Sequence, residues 1–317
     1  MDVRYRPETG CAAQAELRRD SLTATAPPAE RWLLIESHTP WPRQALTSLP
    51  HLGDEVARRC RALAIRPVLI RRYGRVDRTR PRRFGLIDSR PGREAVRWGE
   101  LPSDDHLLTV LDNVGEPAAT DGLGTTSSEL AAADRLGSPS SEPVYLVCTH
   151  GRHDACCAVR GRPVAAALAA AYPERTWECS HIGGDRFAAN VVVLPHSLFY
   201  GQVSPAQALD VARRYDDGDV VPELLRGSGA FVPPVQAAQE FARAAGHSLA
   251  LGNLLPQDVH ALSDQRWRIL LASTNGTLTV EVSAHLDTVD ARLTCAGSSP
   301  AQLRRFELDS LSPPRDP

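Results

Sequence analysis

The sequence predicts an α/β fold, in which two related units are followed by a smaller α+β appendage. Short apolar runs of strand length alternate with stretches of helical periodicity, a pattern typical of strands and helices that follow one another. The same order of elements occurs twice, and a segment rich in Gly, Ser, Thr and Pro separates the two occurrences. With 317 residues, 42% of them apolar, the chain is long enough for two or three domains.

The first unit is predicted within residues 1–112. Its first strand is RWLLIE, beginning at Arg31, and a helical pattern that Pro50 interrupts comes next. The runs FGLID and AVRW flank the turn sequence SRPG and predict a hairpin, and Ser103 is a favourable N-cap for a closing helix. The strands are predicted at 31–36, 67–71, 84–88 and 95–98, and the helices at 45–63 and 103–112.

The second unit, residues 143–226, repeats the order of the first. Its strands are predicted at 144–148, 176–179, 190–194 and 198–203, and its helices at 157–171 and 204–215. Both units have the order β-α-β-β-β-α, which is the thioredoxin arrangement. We therefore predict two thioredoxin-like units, of which the N-terminal one is degenerate, joined by a flexible linker at 113–142.

The appendage, residues 227–317, is predicted to be a helix at 236–245 followed by an antiparallel sheet. Its strands are predicted at 267–272, 279–284 and 291–296, and Asn275-Gly276 between the first two is a strong hairpin signal. Nothing in this region suggests chemistry.

Composition excludes several classes of function. The formal charge is −2 and all 36 basic residues are Arg, so a nucleic-acid partner is not expected and lysine-based mechanisms are excluded. No apolar run approaches the 18 or so residues of a membrane span, and the polar N-terminus predicts no secretory signal. Seven cysteines, an odd number, favour a reducing compartment, and we expect a cytoplasmic protein without a membrane partner.

The residues that suggest chemistry lie in two neighbouring loops of the second unit. Cys148 ends the first predicted strand, and Cys157 begins the helix that follows nine residues later. The loop HIGGD, from His181 to Asp185, follows the next strand and is expected beside the first loop. Two facing loops that carry thiols and imidazole predict a metal site.

These motifs resemble the sucrase/ferredoxin-like family of thioredoxin-fold [2Fe–2S] proteins. The resemblance is carried by C-x8-C and by HIGGDRFAAN, and covers roughly residues 30–215. It implies that Cys148, Cys157 and His181 bind a [2Fe–2S] cluster. The second His of the family's H-x-G-G-H motif is replaced here by Asp185, and the fourth ligand stays open between two residues. Asp185 keeps the family spacing, whereas Cys179 supplies the softer thiolate and lies two residues before His181.

The function implied is one-electron transfer with an unidentified redox protein as reductase and another as acceptor. Two alternatives use the same residues: a thiol oxidoreductase with Cys148 or Cys157 as nucleophile, and a structural zinc site. We predict one cluster per chain, because the first unit has no cysteines at the matching positions. Cys11, Cys60 and Cys295 are expected to be ordinary thiols and Cys156 to be packed, and His150 and His153 to be ligands or hydrogen-bonding neighbours.

Overall fold

The structure is a computed structural model that describes residues 7–75, 77–114 and 136–315. Over these residues the chain forms a ten-stranded mixed sheet, a four-stranded antiparallel sheet and six α-helices, which confirms the α/β class. The helices are α1 (Cys11–Arg18), α2 (Gly53–Ala62), α3 (His106–Asn113), α4 (Ala155–Ala171), α5 (Pro205–Asp216) and α6 (Pro233–Ala244). None of these described helices is both long and apolar enough to cross a bilayer.

The large sheet contains the first ten strands in chain order. They are β1 (Arg31–Glu36), β2 (Ile65–Arg71), β3 (Arg82–Asp88), β4 (Ala95–Leu101), β5 (Ser138–Ser140), β6 (Val144–Cys148), β7 (Thr176–Cys179), β8 (Val191–Leu194), β9 (Leu198–Tyr200) and β10 (Leu225–Ser228). Their order across the sheet is β10-β9-β8-β6-β7-β2-β1-β3-β4-β5.

The two halves of this sheet have the same pairing. β1 lies between parallel β2 and antiparallel β3, and β6 lies between parallel β7 and antiparallel β8. A helix connects each parallel pair, α2 in the first half and α4 in the second. Because β6 and β7 are parallel, the loops that follow them leave the sheet at the same edge.

An antiparallel contact between β2 and β7 joins the halves, with Ile70 opposite Cys179. The Arg72 guanidinium lies 3.7 Å from the ring centre of Trp177 and donates to three backbone carbonyls before and within β7, at 2.7–3.0 Å. Trp177 also stacks on Trp98 of β4, with ring centres 5.3 Å apart, and such a pair adds about 0.5–1.5 kcal/mol beyond its buried area. Cys179 therefore lies at a tightly packed contact between the two halves of the sheet.

Alternate residues of the central strands face two different cores. Tyr145 and Val147 of β6 pack under α4 and α5, whereas Leu146 and Cys148 face the opposite core, to which α1 contributes. A strand buried on both faces is expected to be apolar throughout, as VYLVC is. The period-2 alternation thus sends the thiol of Cys148 to the α1 side of the sheet.

The appendage confirms two of its three predicted strands and contains two strands, at Pro256–Ser263 and Ala301–Arg315, that were not predicted. α6 packs on a sheet of β11 (Pro256–Ser263), β12 (Arg266–Ser273), β13 (Gly276–Val289) and β14 (Ala301–Arg315). β12 and β13 confirm two predicted strands, but the strand predicted at 291–296 is wrong, because these residues form the loop between β13 and β14. The backbone N–H of Cys295 donates to the Asp154 carboxylate at 2.6 Å instead of to a strand.

Other boundaries shift for local reasons. The helical pattern at 45–63 is a 3₁₀ turn at Ala45–Ser48 followed by α2, because Pro50 cannot continue a helix. Asp105, not Ser103, is the N-cap residue of α3, and the Ser103 side chain makes no capping bond. Ser138–Ser140 of the predicted linker pairs with β4 as β5, and residues 115–135 of that linker lie outside the described residues.

Candidate metal centre

Two thiols meet at the ends of the parallel pair β6 and β7. Cys148 and Cys179 are register partners and the last residues of their strands, with exposures of 1% and 0%. The Cys179 thiol lies close enough to the Cys148 sulfur to lower the pKa of Cys148. The sequence expectation that Cys148 ends a central strand is therefore confirmed by the structure.

Cys157 reaches the same place from the first turn of α4. The helix begins at Ala155, two residues before the predicted start, because the Asp154 side chain caps it by accepting from the backbone N–H of Cys156 at 2.9 Å. The Cys157 thiol donates to Asp185 Oδ1 at 3.2 Å, and the Cys148 sulfur is the neighbour that raises the pKa of Cys157 most. Cys157 thus connects the first loop to the second.

The HIGGD loop is held in an unusual backbone conformation. Gly183 and Gly184 have φ angles of 92° and 81°, which residues with a Cβ rarely adopt. The buried Arg226 of β10 donates to the carbonyl of Gly183 at 3.0 Å and to Asn190 Oδ1 at 2.8 Å, and Asn190 in turn donates to the carbonyl of Gly184 at 2.9 Å. The HIGGDRFAAN motif therefore contains both the loop and the side chain that fixes it.

His181, His153 and Asp185 form the tightest group of donor atoms at this centre. Their ligand atoms lie within 4.8 Å of one another. His181 Nδ1 is 3.0 Å from Asp185 Oδ1, His153 Nε2 is 3.5 Å from Asp185 Oδ2, and the two imidazole rings stack with centres 3.7 Å apart. Asp185 is 2% exposed, whereas the two imidazoles are about 30% exposed, so the centre is open on the histidine side.

His150 borders the centre, but both of its ring nitrogens already have hydrogen-bond partners and are not available as metal ligands. Its Nε2 lies 2.8 Å from the carbonyl of Pro42 and its Nδ1 accepts from the backbone N–H of His181 at 3.2 Å. Because a carbonyl can only accept, Nε2 carries the proton and the ring is a neutral tautomer. Of the two histidines that the sequence left open, His150 positions the second loop, and His153 lies among the donor atoms.

The electrostatic environment favours a thiolate at Cys148. Hydrogen bonds from Cys157 and Cys179 hold the pKa of Cys148 well below its usual range, against the effect of burial. The hydrogen bond to Cys148 together with burial raises the pKa of Cys157, and burial is the main cause of the raised pKa of Cys179. Burial opposes protonation of His181, but Asp185 and Cys148 outweigh it and raise its pKa.

Buried arginines supply positive charge close to these thiols. Burial lowers the pKa of Arg226 to about 9, so its guanidinium stays charged at neutral pH, near Asp185 and Cys157. Burial also lowers the pKa of Arg66, and the sulfurs of Cys179 and Cys148 oppose that shift. Positive charge so placed stabilises an anionic group at the centre.

All five predicted site residues meet in this region. Cys179 contacts Cys148, Cys148 contacts Cys157, Cys157 contacts Asp185, and Asp185 contacts His181. The prediction missed a second group, in which Cys11, Asp154, Cys156 and Cys295 come together. The only local signal for it was the pair Cys156-Cys157, because adjacent helical residues point about 100° apart.

The family that this centre indicates is found by comparison with known proteins. The sucrase/ferredoxin-like family matches residues 22–227, roughly two thirds of the chain. The chain belongs to the sucrase/ferredoxin-like family. Both candidate loops lie inside the matched region, whereas Cys11, the sheet of β11–β14 and Cys295 lie outside it.

Comparison with solved structures gives a remote match. It is the crystal structure of a cysteine-to-serine variant of the thioredoxin-like [2Fe–2S] ferredoxin from Aquifex aeolicus. The identity is 20% and the TM-score 0.24, and the alignment covers 26% of this chain and 97% of the other. No curated protein is similar enough to match.

The donor set fits an iron–sulfur cluster. Thiol sulfur and imidazole nitrogen are the ligands that such clusters take, and here they are buried on one side and lie near buried guanidinium groups. In the part of the chain that the structure describes, Cys148 and Cys157 lie outside the tight group of His153, His181 and Asp185. Donors that extend in a row suit a group with two metal ions better than they suit a single ion.

Proposed function

We propose that this protein is an electron carrier with one [2Fe–2S] cluster in mixed Cys/His ligation. The observation that carries the proposal is the continuous row of Cys148, Cys157, Asp185 and His181 at the edge where β6 and β7 end. When bound, the cluster supplies the one-electron chemistry. The chain holds it, balances its charge with Arg66 and Arg226, and leaves the imidazoles exposed to a partner.

Among the two residues that the sequence left open, we propose Asp185 as the fourth ligand. Asp185 Oδ1 contacts both the Cys157 sulfur and His181 Nδ1, so it already lies between two other ligands. Cys179 is fully buried beside Cys148, its register partner, and lies close enough to lower the pKa of that thiol. In that position Cys179 tunes a ligand sulfur instead of binding iron.

We also propose that the large sheet is made of two thioredoxin-like units, residues 1–112 and 143–226, with the appendage at 227–317. The shared pairing of β1 with β2 and β3, and of β6 with β7 and β8, supports this division. In the first unit Glu36 ends β1, where Cys148 ends β6. That carboxylate accepts from the backbone N–H of Arg83 at 2.9 Å, so one cluster per chain is expected.

The partner that exchanges electrons is proposed to dock on an arginine-rich groove beside the centre. The groove is lined by His38, Thr39, Pro40, Arg71, Arg75, Asp77 and Arg78. The Arg71 guanidinium lies over Trp41 at 4.3 Å, and Trp41 contacts His150, whose Nδ1 holds His181. A chain of contacts thus connects the groove to the loop that holds His181. Because the groove is rich in arginine and positively charged, we propose an acidic redox protein of the cytoplasm as the partner.

A thiol-dependent oxidoreductase is the second candidate, because the pKa of Cys148 is held well below its usual range by its thiol neighbours. A nucleophilic cysteine must reach its substrate, however, and Cys148 is 1% exposed. The burial favours the electron carrier. Rapid reaction of an iron-free chain with peroxide, abolished by Cys148→Ser, would favour the oxidoreductase.

Anaerobic purification tests the proposed function. We expect a red-brown protein that dithionite bleaches, with about two iron and two sulfide ions per chain, because a [2Fe–2S] cluster contains two of each. Cys157→Ser should lose most of the iron, whereas Cys60→Ser is the matched control, since Cys60 is also buried but lies in α2.

Two results would contradict the electron carrier. One is a colourless, iron-free chain after anaerobic purification. The other is an iron-free chain whose zinc is lost in Cys157→Ser, which would assign the centre to structural zinc.

A further inference from the structure

Three cysteines that are distant in sequence form a triangle of sulfur atoms on the other side of α4. Cys11 begins α1, Cys156 lies in the first turn of α4, and Cys295 lies in the loop between β13 and β14. Their Sγ atoms are separated by 3.7 Å (Cys11 to Cys156), 3.4 Å (Cys156 to Cys295) and 3.6 Å (Cys295 to Cys11). These separations are far longer than a disulfide bond of about 2.05 Å.

The triangle has the dimensions of one face of a tetrahedral zinc site. Two sulfurs that each lie about 2.3 Å from a tetrahedral zinc ion are separated by about 3.8 Å. A carboxylate oxygen about 2.0 Å from the same ion lies about 3.5 Å from each sulfur. Asp154 Oδ2 is 3.6 Å from the Cys11 sulfur, and all four residues offer donor atoms within 4.8 Å of one another.

Helix geometry and hydrogen bonding hold the triangle in place, although contact with the neighbouring thiols and burial raise the pKa of Cys11, so a bound ion would have to displace the thiol protons. Cys11 is the first residue of α1 and Cys156 the second of α4, so two helix N-termini point toward the triangle. Asp154 is 2% exposed and is held by the backbone N–H groups of Cys156 and Cys295, at 2.9 and 2.6 Å. Cys11 and Cys156 are 3% and 0% exposed, whereas Cys295 is partly exposed and gives an ion a way in.

We propose that Cys11, Cys156 and Cys295, with Asp154 as the fourth ligand, bind one structural zinc ion that is separate from the iron–sulfur centre. Soft thiolates in a closed tetrahedron select zinc among the common divalent ions, and spacing this tight accommodates one ion. Cys156 and Cys157 are adjacent, so the two metals would be held by the two sides of one helical turn.

The position of this site gives it a structural role. It joins α1 and the loop between β13 and β14 to the helix that carries Cys157, across sequence separations of 145 and 139 residues. Without the ion, these distant segments are held to the start of α4 by weaker contacts with Asp154, from the backbone N–H of Cys295 at 2.6 Å and from the Cys11 thiol at 3.6 Å. Removal of zinc is therefore expected to expose α1 and the β13–β14 loop to proteolysis before the large sheet unfolds.

X-ray absorption at the zinc edge of the unmodified chain tests the site without any substitution. The expected coordination is three sulfurs at about 2.3 Å and one oxygen at about 2.0 Å, at about one zinc per chain. Cys295→Ser and Cys11→Ser should reduce bound zinc at least about tenfold while iron stays at its original level, because ligands are lost only from the second site. Cys60→Ser is the matched control and should change neither metal, since Cys60 is a buried thiol in α2.

Cys157→Ser separates this proposal from the proposed function. It should remove iron and leave zinc bound, whereas Cys295→Ser should remove zinc and leave iron bound. The zinc site is overturned by a chain without zinc, by zinc whose shell contains imidazole, or by zinc that persists in both Cys11→Ser and Cys295→Ser. An intact mass two hydrogens below the reduced value, lost in Cys295→Ser, would show a disulfide instead and would also overturn it.

Discussion

The carboxylate of Asp185 contacts both a thiol and an imidazole of the candidate centre. Substitutions of Asp185, Cys179 and His153 test which of these residues is the fourth ligand. Asp185→Asn removes the charged donor without changing its size, and we expect most of the cluster to be lost. Cys179→Ser should retain the cluster, because Cys179 lies beside the Cys148 ligand and is not expected to bind iron itself. Iron content and electron paramagnetic resonance measure both effects.

His153→Gln is the control that keeps a polar side chain in the first loop. It should retain iron and alter the resonance signal, since the stacked imidazole beside His181 is lost. Retention of a full cluster in Asp185→Asn, together with its loss in Cys179→Ser or His153→Gln, would move the fourth ligand to that other residue.

The individual residues of the centre could be predicted from the sequence where they belong to a short motif with a characteristic spacing. Cys148, Cys157, His181 and Asp185 come from two short motifs, and the structure brings all four together. Cys11 and Cys295 were expected to be ordinary thiols, yet they meet across 284 positions. The hydrophobic periodicity of the sequence cannot predict such a contact, because the contact depends on how α1 and the loop between β13 and β14 pack against α4.

At the scale of elements, the loop between β7 and β8 depends on one buried guanidinium. Arg226→Ala removes the hydrogen bonds that hold the carbonyl of Gly183 and the side chain of Asn190. We expect about 10- to 100-fold weaker retention of the cluster, the usual cost of losing a group that orients metal ligands. The rate of iron release to a chelator measures it.

Arg243→Ala is the matched control for that substitution. Arg243 is also a buried arginine, 8% exposed at its side chain, but it pairs with Glu240 within α6. Iron release as slow in Arg226→Ala as in Arg243→Ala would show that the loop keeps its shape without the guanidinium.

The elements around the centre were largely predictable, and the failures have physical causes. VYLVC and TWEC are buried runs bounded by clear turn signals, and both appear as strands. The helix between them begins earlier than predicted, because Asp154 rather than a later residue caps it. ARLTCA has the composition of a strand, but the backbone N–H of Cys295 donates to the carboxylate of Asp154, which caps α4, instead of to a neighbouring strand. Such tertiary competition is not visible in local sequence.

At the scale of the whole molecule, the arginine-rich groove is expected to control electron exchange with charged reagents. Arg75 and Arg78 are exposed and line the groove next to Arg71. Arg75→Glu combined with Arg78→Glu should slow oxidation of the reduced protein by ferricyanide, an anion, and speed oxidation by hexaammineruthenium(III), a cation. Changes of about tenfold are expected at low ionic strength, and they should vanish in high salt.

Arg213→Glu combined with Arg214→Glu on α5 is the charge-matched control. Arg213 is also well exposed, at 67% of its side chain, and lies outside the groove. Stopped-flow rates that respond equally to both pairs would mean that only net charge matters, and would refute the groove as the site of exchange.

Pulsed electron paramagnetic resonance of the dithionite-reduced protein tests the central claim most directly. We predict one unpaired spin per chain, with coupling to a directly bound imidazole nitrogen that shifts when histidine is labelled with ¹⁵N and disappears in His181→Cys. A reduced chain without a cluster signal, or a cluster signal without nitrogen coupling, would contradict mixed Cys/His ligation.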